Sequence, residues 1–477
     1  MFCQLDTLRR CMPSSIVKAL NELPTTLDET YERALQEVPK EKRQHAHRLF
    51  QCLVVAFRPL RVEELAELFA IEFDADAGPD LKEGWRPENP EDAVLSACST
   101  LIAVIEDSGS KIVQFSHFSV KEFLISDRLR TSDIGNIRYY HIPLIAAHTI
   151  LVRACLSVLL QLDESVDKKR LETFPLAFYA AQNWVKHAKY EDVASRVQDL
   201  IEELFNPNKQ YLAAWTWIHD MDQFRWDGVR ETIYNFEEHP KRPEAVAAAA
   251  APTALYYAAL CGFSGLANYL IFTHAANVNA KCGNRGTPLH AAAYNGHLDV
   301  ARLLLTHGVD VNVTNKNNDT PLCLAHSGRY LDMMRLLLEH GASVDVNYDP
   351  AGLLSHDASW FGLTDALHLL LEHNANVNAR NDYEQTPLHY ASRHGHAGAA
   401  QLLLEHGAIV NVQSERHNTP LYEASEGGHL EAVRTLLRHG ADVHMRGESG
   451  QTPFQVATSK GHNEVAELLL EHGAGKE

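Results

Sequence analysis

Apolar and polar positions along this 477-residue chain follow two different rules. Up to about residue 250 the pattern changes from segment to segment; beyond that point one pattern repeats. In the first half Ala46, Leu49, Phe50, Leu53, Val54 and Phe57 fall on one helical face, and Pro59 closes that helix. Residues 61–71 predict a second helix with Leu65, Leu68 and Phe69 apolar, and residues 91–99 a third, after a loop at Gly84-Trp85-Arg86-Pro87. Alternation over 101–105 and 112–115, around Asp107-Ser108-Gly109-Ser110, predicts a hairpin. Ser119-Val120-Lys121-Glu122 has capping-box spacing and opens a helix through Leu129. Three helices and a hairpin make a winged-helix pattern. The most apolar stretch, 144–162, carries His148 and Arg153 at its middle and reads as a buried helix, not a membrane span. Trp215, Trp217 and Trp226 read as core.

In the second half His274, His307, His340, His373, His406, His439 and His472 stand 33 residues apart. Thr287-Pro288-Leu289-His290 recurs with the same period at Thr320, Thr386, Thr419 and Thr452, with a decayed copy at Thr253 and a register-keeping Leu353-Leu354-Ser355-His356. Threonine caps a helix and proline suits its first position, where a missing N–H does no harm. A glycine then turns the chain, as in Gly296-His297 or Gly428-His429. A second apolar helix follows (300–305 or 433–437, for example) and ends at His-Gly. One such unit cannot bury its apolar face alone, so seven copies over 253–477 imply a stack.

This pattern resembles the ankyrin repeat. The resemblance implies a β-turn finger and two antiparallel helices per copy, a curved solenoid, protein binding through fingers and inner helices, and no catalysis. Positions outside the framework are then candidates for contact with a protein partner: Lys316, Asn317, Tyr383, Arg416 and His417 at fingertips, and Tyr294, Arg393, His394 and Glu426 before the inter-helix glycine. Tyr383, Arg393 and Arg416 lead, because Tyr and Arg are enriched at hot spots; an ordinary solvated tip is the alternative for each. The copy at 347–379 lacks Thr-Pro and Gly-His and carries Trp360-Phe361, which makes it a candidate contact and the expected weak point of the stack.

Composition narrows the chemistry. A formal net charge of −19 repels phosphate backbones and anionic lipids, so nucleic acid and membrane partners are disfavoured. The helix at 91–99 offers two acids and no base to a DNA groove. Eight scattered cysteines without a CxxC pair, and a charged start with no signal peptide, suit a cytoplasmic protein. The 27 histidines invite a metal, but stacked helices lie roughly 8–10 Å apart, whereas zinc needs nitrogens at about 2.0–2.1 Å. Histidines that cap helix ends and bond within turns are the better reading, with no metal or cofactor. Glu63-Glu64 and Glu202-Glu203 read as solvated helix faces, not catalytic pairs.

Residues 23–31 and 115–124 are similar to segments of fungal NACHT–ankyrin receptors, signal-transduction ATPases related to NOD-like immune receptors. Residues 175–184 resemble the helical region that follows their winged helix. The resemblance implies the end of a NACHT module over 1–39, a winged helix over 40–131, a helical domain over 132–240, a linker over 241–252 and the repeats over 253–477. The fold class is mainly α: an ankyrin solenoid preceded by a winged-helix and helical region. The departure is the phosphate loop: no G-x-x-x-x-G-K-[ST] occurs, and Ser108-Gly109-Ser110-Lys111 is a hairpin turn. In the relatives a winged-helix histidine touches the β-phosphate of bound ADP. His117 matches that position as a nucleotide sensor, but only where an ATPase module is supplied; otherwise it bonds locally. The expected function is protein recognition by the array, as the sensor half of a self/non-self signalling receptor. The alternatives are a freestanding ankyrin adaptor and a winged-helix DNA-binding regulator.

Overall fold

The computed structural model describes residues 26–73, 78–107, 109–134, 137–163, 165–219, 254–282, 285–345, 347–349 and 352–475. The expected linker over 241–252, Trp226, Ser108 and residues 1–25 lie outside the described residues. The chain divides into two compact units, Met1–Ala254 and Leu255–Glu477.

In the first unit, helix α1 (Leu27–Gln36) starts where Thr26 accepts the Glu29 N–H at 3.2 Å, with Asp28 and Glu29 suiting the positive end of the helix. Its buried Tyr31 packs on Phe123, and the Tyr31 hydroxyl meets Ser119 Oγ at 2.8 Å. Helix α2 (Arg43–Val55) buries Ala46, Leu49, Phe50 and Val54, as the spacing requires. Phe57 lies past its end and is 53% exposed. Strand β1 (Leu60–Arg61) follows, then helix α3 (Val62–Ala66), which tightens into a 3-10 turn over Glu67–Ala70. The single helix expected over 61–71 is thus shorter and ends in a different winding.

Helix α4 (Pro90–Cys98) is capped by Asn89, with proline at its start. Strands β2 (Ile102–Asp107) and β3 (Ser110–Phe115) form the expected hairpin, and β1 adds to β3 to give the sheet order β1-β3-β2. The helix expected through Leu129 is two: α5 (Phe118–Ile125) and α6 (Asp127–Thr131). Ser126 breaks it in an extended conformation (ψ 148°), donating to the Phe123 carbonyl at 2.7 Å and accepting from the Leu129 N–H at 3.3 Å, so it caps the second piece.

Helix α7 (Leu144–Leu159) is buried along most of its length and packs on α8 (Ala177–Ala188) and α2. Its polar residues are satisfied: Arg153 donates to the Phe73 carbonyl at 3.0 Å, His148 meets His187 of α8, Nδ1 to Nδ1, at 2.8 Å, and Thr149 and Ser157 each donate to the carbonyl four residues earlier at 2.7 Å. Trp215 of helix α9 (Tyr211–Ile218) is fully buried against Trp184 and Phe205 and donates to the Ala181 carbonyl at 2.9 Å, while Trp217 is half-buried. Among the described residues no helix is long and apolar enough to cross a membrane.

One expectation fails on burial. Glu63 is exposed, but Glu64 is fully buried, bound by both Arg58 guanidinium nitrogens at 2.8 and 2.7 Å and by the Arg61 N–H at 2.8 Å. Burial alone would raise its pKa; the Arg58 hydrogen bonds and the Arg61 N–H hold it below the ordinary value. Glu67 is buried too, accepting from Arg86 at 2.6 Å and from the Leu176 N–H at 2.8 Å. That bond ties the segment after α3 to the start of α8.

The second unit is built from helix pairs at the sequence period, from Ala254–Cys261 with Ser264–His274 to Pro453–Lys460 with Asn463–Glu471. First helices pack on first helices of adjacent copies, and second on second.

Candidate protein-recognition surface

Four sets of repeated polar residues bond within the copies or between them, and they decide which surface positions remain available. The first belongs to the Thr-Pro-Leu-His histidine. His290 Nδ1 accepts from the Thr287 N–H and hydroxyl at 3.2 and 2.8 Å, while Nε2 donates to the Asp319 carbonyl of the next finger at 3.1 Å. His389 repeats this with Thr386 and the Asn418 carbonyl, and His356 with the Leu353 N–H and the Gln385 carbonyl. Carbonyls only accept, so the proton sits on Nε2. Burial pushes His290 and His389 down to about 4, and His356 in the same direction.

The second ladder uses the opposite tautomer. His307, His340, His406, His439 and His472 each donate from Nδ1 to the carbonyl four residues earlier, at 2.8–2.9 Å, closing the second helix. These are the helix-end caps expected from the sequence. Among the described residues no group of three or more His, Cys, Asp or Glu is placed to hold a metal ion.

The third ladder was not read from the sequence. Asn279, Asn312, Asp345, Asn378 and Asn411 each accept, through a side-chain oxygen, the backbone N–H of the residue 31 positions later. Their 33-residue spacing was in the sequence as plainly as that of the histidines. A further column joins the turns: His396, His429 and His462 donate from Nε2 to the carbonyls of Trp360, Arg393 and Glu426 in the preceding copy.

The predicted contact residues separate into two groups. Lys316, Asn317, Tyr383, Arg416 and His417 lie at exposed fingertips. Tyr383 is 58% exposed, and the Arg416 side chain, 69% exposed, makes only a 3.5 Å approach to Glu448. Each of three tips is closed by an N–H to carbonyl bond four residues on, at Asn315, Asn381 and Ser414, with Asn318, Glu384 and His417 in the left-handed region.

The residues before the inter-helix glycine are more committed. Arg393 makes a two-pronged pair with Glu423 at 2.9 and 2.7 Å, and that carboxylate is 3% exposed. Burial would raise the Glu423 pKa; Arg393 and the Asn418 amide lower it below the ordinary range. Arg393 therefore spends its guanidinium inside the array. Glu426 pairs with Lys460 at 3.3 Å, and the Tyr294 ring lies under the Arg285 guanidinium at 3.7 Å. Trp360 is 40% exposed, its indole 4.4 Å from the His394 ring and 5.2 Å from Tyr390. The divergent copy thus has an aromatic platform where its neighbours carry Ser327 and Arg393. It keeps the His356 ladder bonds, and it gains a 2.7 Å pair from His326 to Asp357.

His117 caps α5: its Nδ1 accepts the Ser119 N–H at 3.3 Å and meets the Ser119 hydroxyl at 2.7 Å, with the ring exposed beside Phe118.

Comparison with known proteins agrees with this architecture. Residues 255–349, 355–447 and 408–477 match the family described as "Ankyrin repeats (3 copies)", and residues 31–135 match "GPI inositol-deacylase, winged helix domain". The second unit is an ankyrin-repeat solenoid, and the first carries a winged-helix domain of the GPI inositol-deacylase type. The chain is 30% identical over 299 residues to the azaphilone pigments biosynthesis cluster protein L of Monascus ruber, covering 60% of each. It therefore spans somewhat under two thirds of that relative's length. Among solved structures, the human ASB11 ankyrin repeat domain is 28% identical over 47% of this chain and 99% of its own, with a TM-score of 0.41. The ankyrin repeat domain of Bcl-3, of the IkappaB family, is 30% identical over 46% of this chain and 99% of its own, with a TM-score of 0.42.

Proposed function

We propose that this chain recognises a protein through its ankyrin array, as the sensor half of a NOD-like signalling receptor of fungal type. The observation that carries the recognition reading is the contrast between ladder residues, whose polar groups are consumed inside the stack, and the exposed groups around Trp360, Tyr383 and Arg416. Aromatic and arginine side chains free of framework duty are the usual anchors of an interface. Arg393 ranks below them because its charge is already paired. The receptor reading rests on the similarity of residues 115–124 and 175–184 to NACHT–ankyrin proteins, with His117 at the start of a winged-helix α-helix. In that reading the array is the cytoplasmic detector, and nucleotide gating comes from a module that this sequence does not contain.

The test has two arms. Affinity capture from the source cells with the wild-type chain and with a Trp360→Ala, Tyr383→Ala, Arg416→Ala triple variant should show one partner lost from the variant. Equal recovery with both removes the proposed surface. Sequencing the message upstream of the Met1 codon separates the receptor from the adaptor. A reading frame with a Gly-Lys-Ser/Thr phosphate loop supports the receptor, and a start at Met1 favours a freestanding adaptor.

A further inference from the structure

Helix α5 carries a stripe that nothing among the described residues of the first unit covers. Its buried residues are Val120, Phe123 and Leu124; the opposite side presents Phe118, Lys121, Glu122 and Ile125. These fall at i, i+3, i+4 and i+7, one face of a helix. Phe118 is 73% exposed and Ile125 36%. Ile125 and Lys121 then form one wall of a cleft of ≈ 510 Å³ whose other walls come from the end of α2, the start of α7 and the end of α8.

Apolar and charged groups are segregated in this cleft. Its apolar lining includes Phe57, Ile125 and Leu144, over Val54 and Val55. Its charged lining is Lys121, Lys186 and Lys189, with no carboxylate among the lining residues. Among the described residues, Glu122 lies on the α5 stripe and Glu191 acts on His148. Three lysines around an apolar cleft are notable in a chain of net charge −19.

The base of the cleft is tied together by hydrogen bonds. His148, which lines it, bonds His187 at 2.8 Å; His187 Nε2 bonds the Tyr179 hydroxyl at 2.8 Å; and Tyr179 accepts the Phe57 N–H at 3.3 Å. The Phe57 ring lies 4.4 Å from the His187 ring, and Lys186 stands over it at 5.9 Å. Phe57 is thus held from behind while half its surface faces solvent. A fixed aromatic beside a preformed apolar cleft is what a docking helix uses, because little side-chain entropy is then lost on binding.

We propose that this cleft and the α5 stripe dock an acidic amphipathic helix of a protein partner. Its apolar face would cover Phe57, Ile125 and Phe118, and its carboxylates would meet Lys121 and Lys186. The lysines select the partner by sign, and the apolar floor provides most of the affinity. This surface belongs to the first unit, and the proposal does not depend on the reading given above for the ankyrin array.

The test uses the full chain and two fluorescein-labelled 14-residue peptides, followed by fluorescence anisotropy. Both carry leucine at i, i+3, i+4 and i+7; one has glutamate and the other lysine at the remaining positions. The glutamate peptide should bind and the lysine peptide should not, with affinity falling as salt rises. A Lys121→Gln, Lys186→Gln double variant, altered only at exposed positions, should weaken binding at least tenfold. Phe57→Ser should weaken it separately, with circular dichroism to check that the fold persists. Equal binding of both peptides, or affinity unchanged in the double variant, overturns the proposal. So does sedimentation showing that a second copy of this chain fills the cleft, detected as a dimer that the same lysine variants dissociate.

Discussion

The two units solve the problem of buried polar groups in opposite ways. In the ankyrin unit each polar anchor recurs: the His290 arrangement returns at His356 and His389, and the Asn279 arrangement at Asn312, Asn378 and Asn411. In the winged-helix unit each anchor occurs once and spans an unrelated distance along the chain. Glu67 reaches Leu176, His148 reaches His187, and Tyr179 reaches Phe57. Repetition spreads risk over many weak, equivalent contacts, whereas a single buried carboxylate concentrates it.

Acid should produce the largest effect and strike both units. His290 and His389 are held near 4 in the array, and burial depresses His187 to about 3 in the first unit, against 6.5 for a free histidine. Each is neutral in the folded protein and takes up a proton more readily when unfolded. Their stabilisation is therefore complete above about pH 6.5 and is lost as pH falls from there toward the folded value, by on the order of 3 kcal/mol each for His290 and His389 and somewhat more for His187. Urea unfolding at pH 7, 6, 5 and 4 measures it. A flat profile between pH 6.5 and 4 means that these rings are not buried neutral.

Glu64→Ala should separate the units. It strips two arginines of their shared carboxylate and should cost about 2–3 kcal/mol, at the lower end for a buried pair because Arg58 and Arg61 are partly solvated. Tryptophan fluorescence follows the first unit, which holds five of the six tryptophans. An equal shift in the ankyrin transition would contradict the independence of the two sets of anchors.

Within the array, Gly395→Ala should cost about 2–3 kcal/mol and Gly461→Ala about 1 kcal/mol. Both glycines have positive φ (72° and 81°), but a Cβ on Gly395 would lie 2.5 Å from the His429 ring, while at Gly461 nothing is within 4 Å. The same pairing explains a departure in the copy that precedes the divergent one. Arg329 replaces the glycine at φ 57° where the following copy offers Leu363 in place of a ring. Similar costs for the two substitutions would show that backbone conformation, not the ring, sets the requirement.

Hydrogen exchange should find the copy at 347–379 the first to open, since Leu353 gives no side-chain cap where its neighbours have threonine. Uniform protection along the array would sink that idea, and would mean that the His326–Asp357 pair and the Trp360 cluster make up the loss. The smallest effects belong to the fingertips: Tyr383→Ala and Arg416→Ala should leave stability within about 0.5 kcal/mol while altering partner capture.

The ankyrin half was legible because its period multiplies every signal. Seven equally spaced histidines announce a helix end more firmly than any one of them. In the first half the helices at Arg43–Val55 and Pro90–Cys98 and the hairpin could be read from local spacing. Strand β1 could not, because its two residues leave no alternation to detect and its pairing with β3 spans about fifty positions. Glu64 was misread because a helix pattern says which face is apolar, not which carboxylate on a polar face meets two arginines. Arg393 was marked by its residue type, but that type does not reveal whether Glu423 has already claimed it.

The sequence by itself determined the repeating architecture, the winged-helix order and the acidic character, since each follows from local spacing and composition. Only the tertiary structure decided which polar side chains are consumed and which stay exposed. Burial and pairing arise when segments far apart in the chain meet, and a carboxylate or guanidinium carries no mark of its partner until they do.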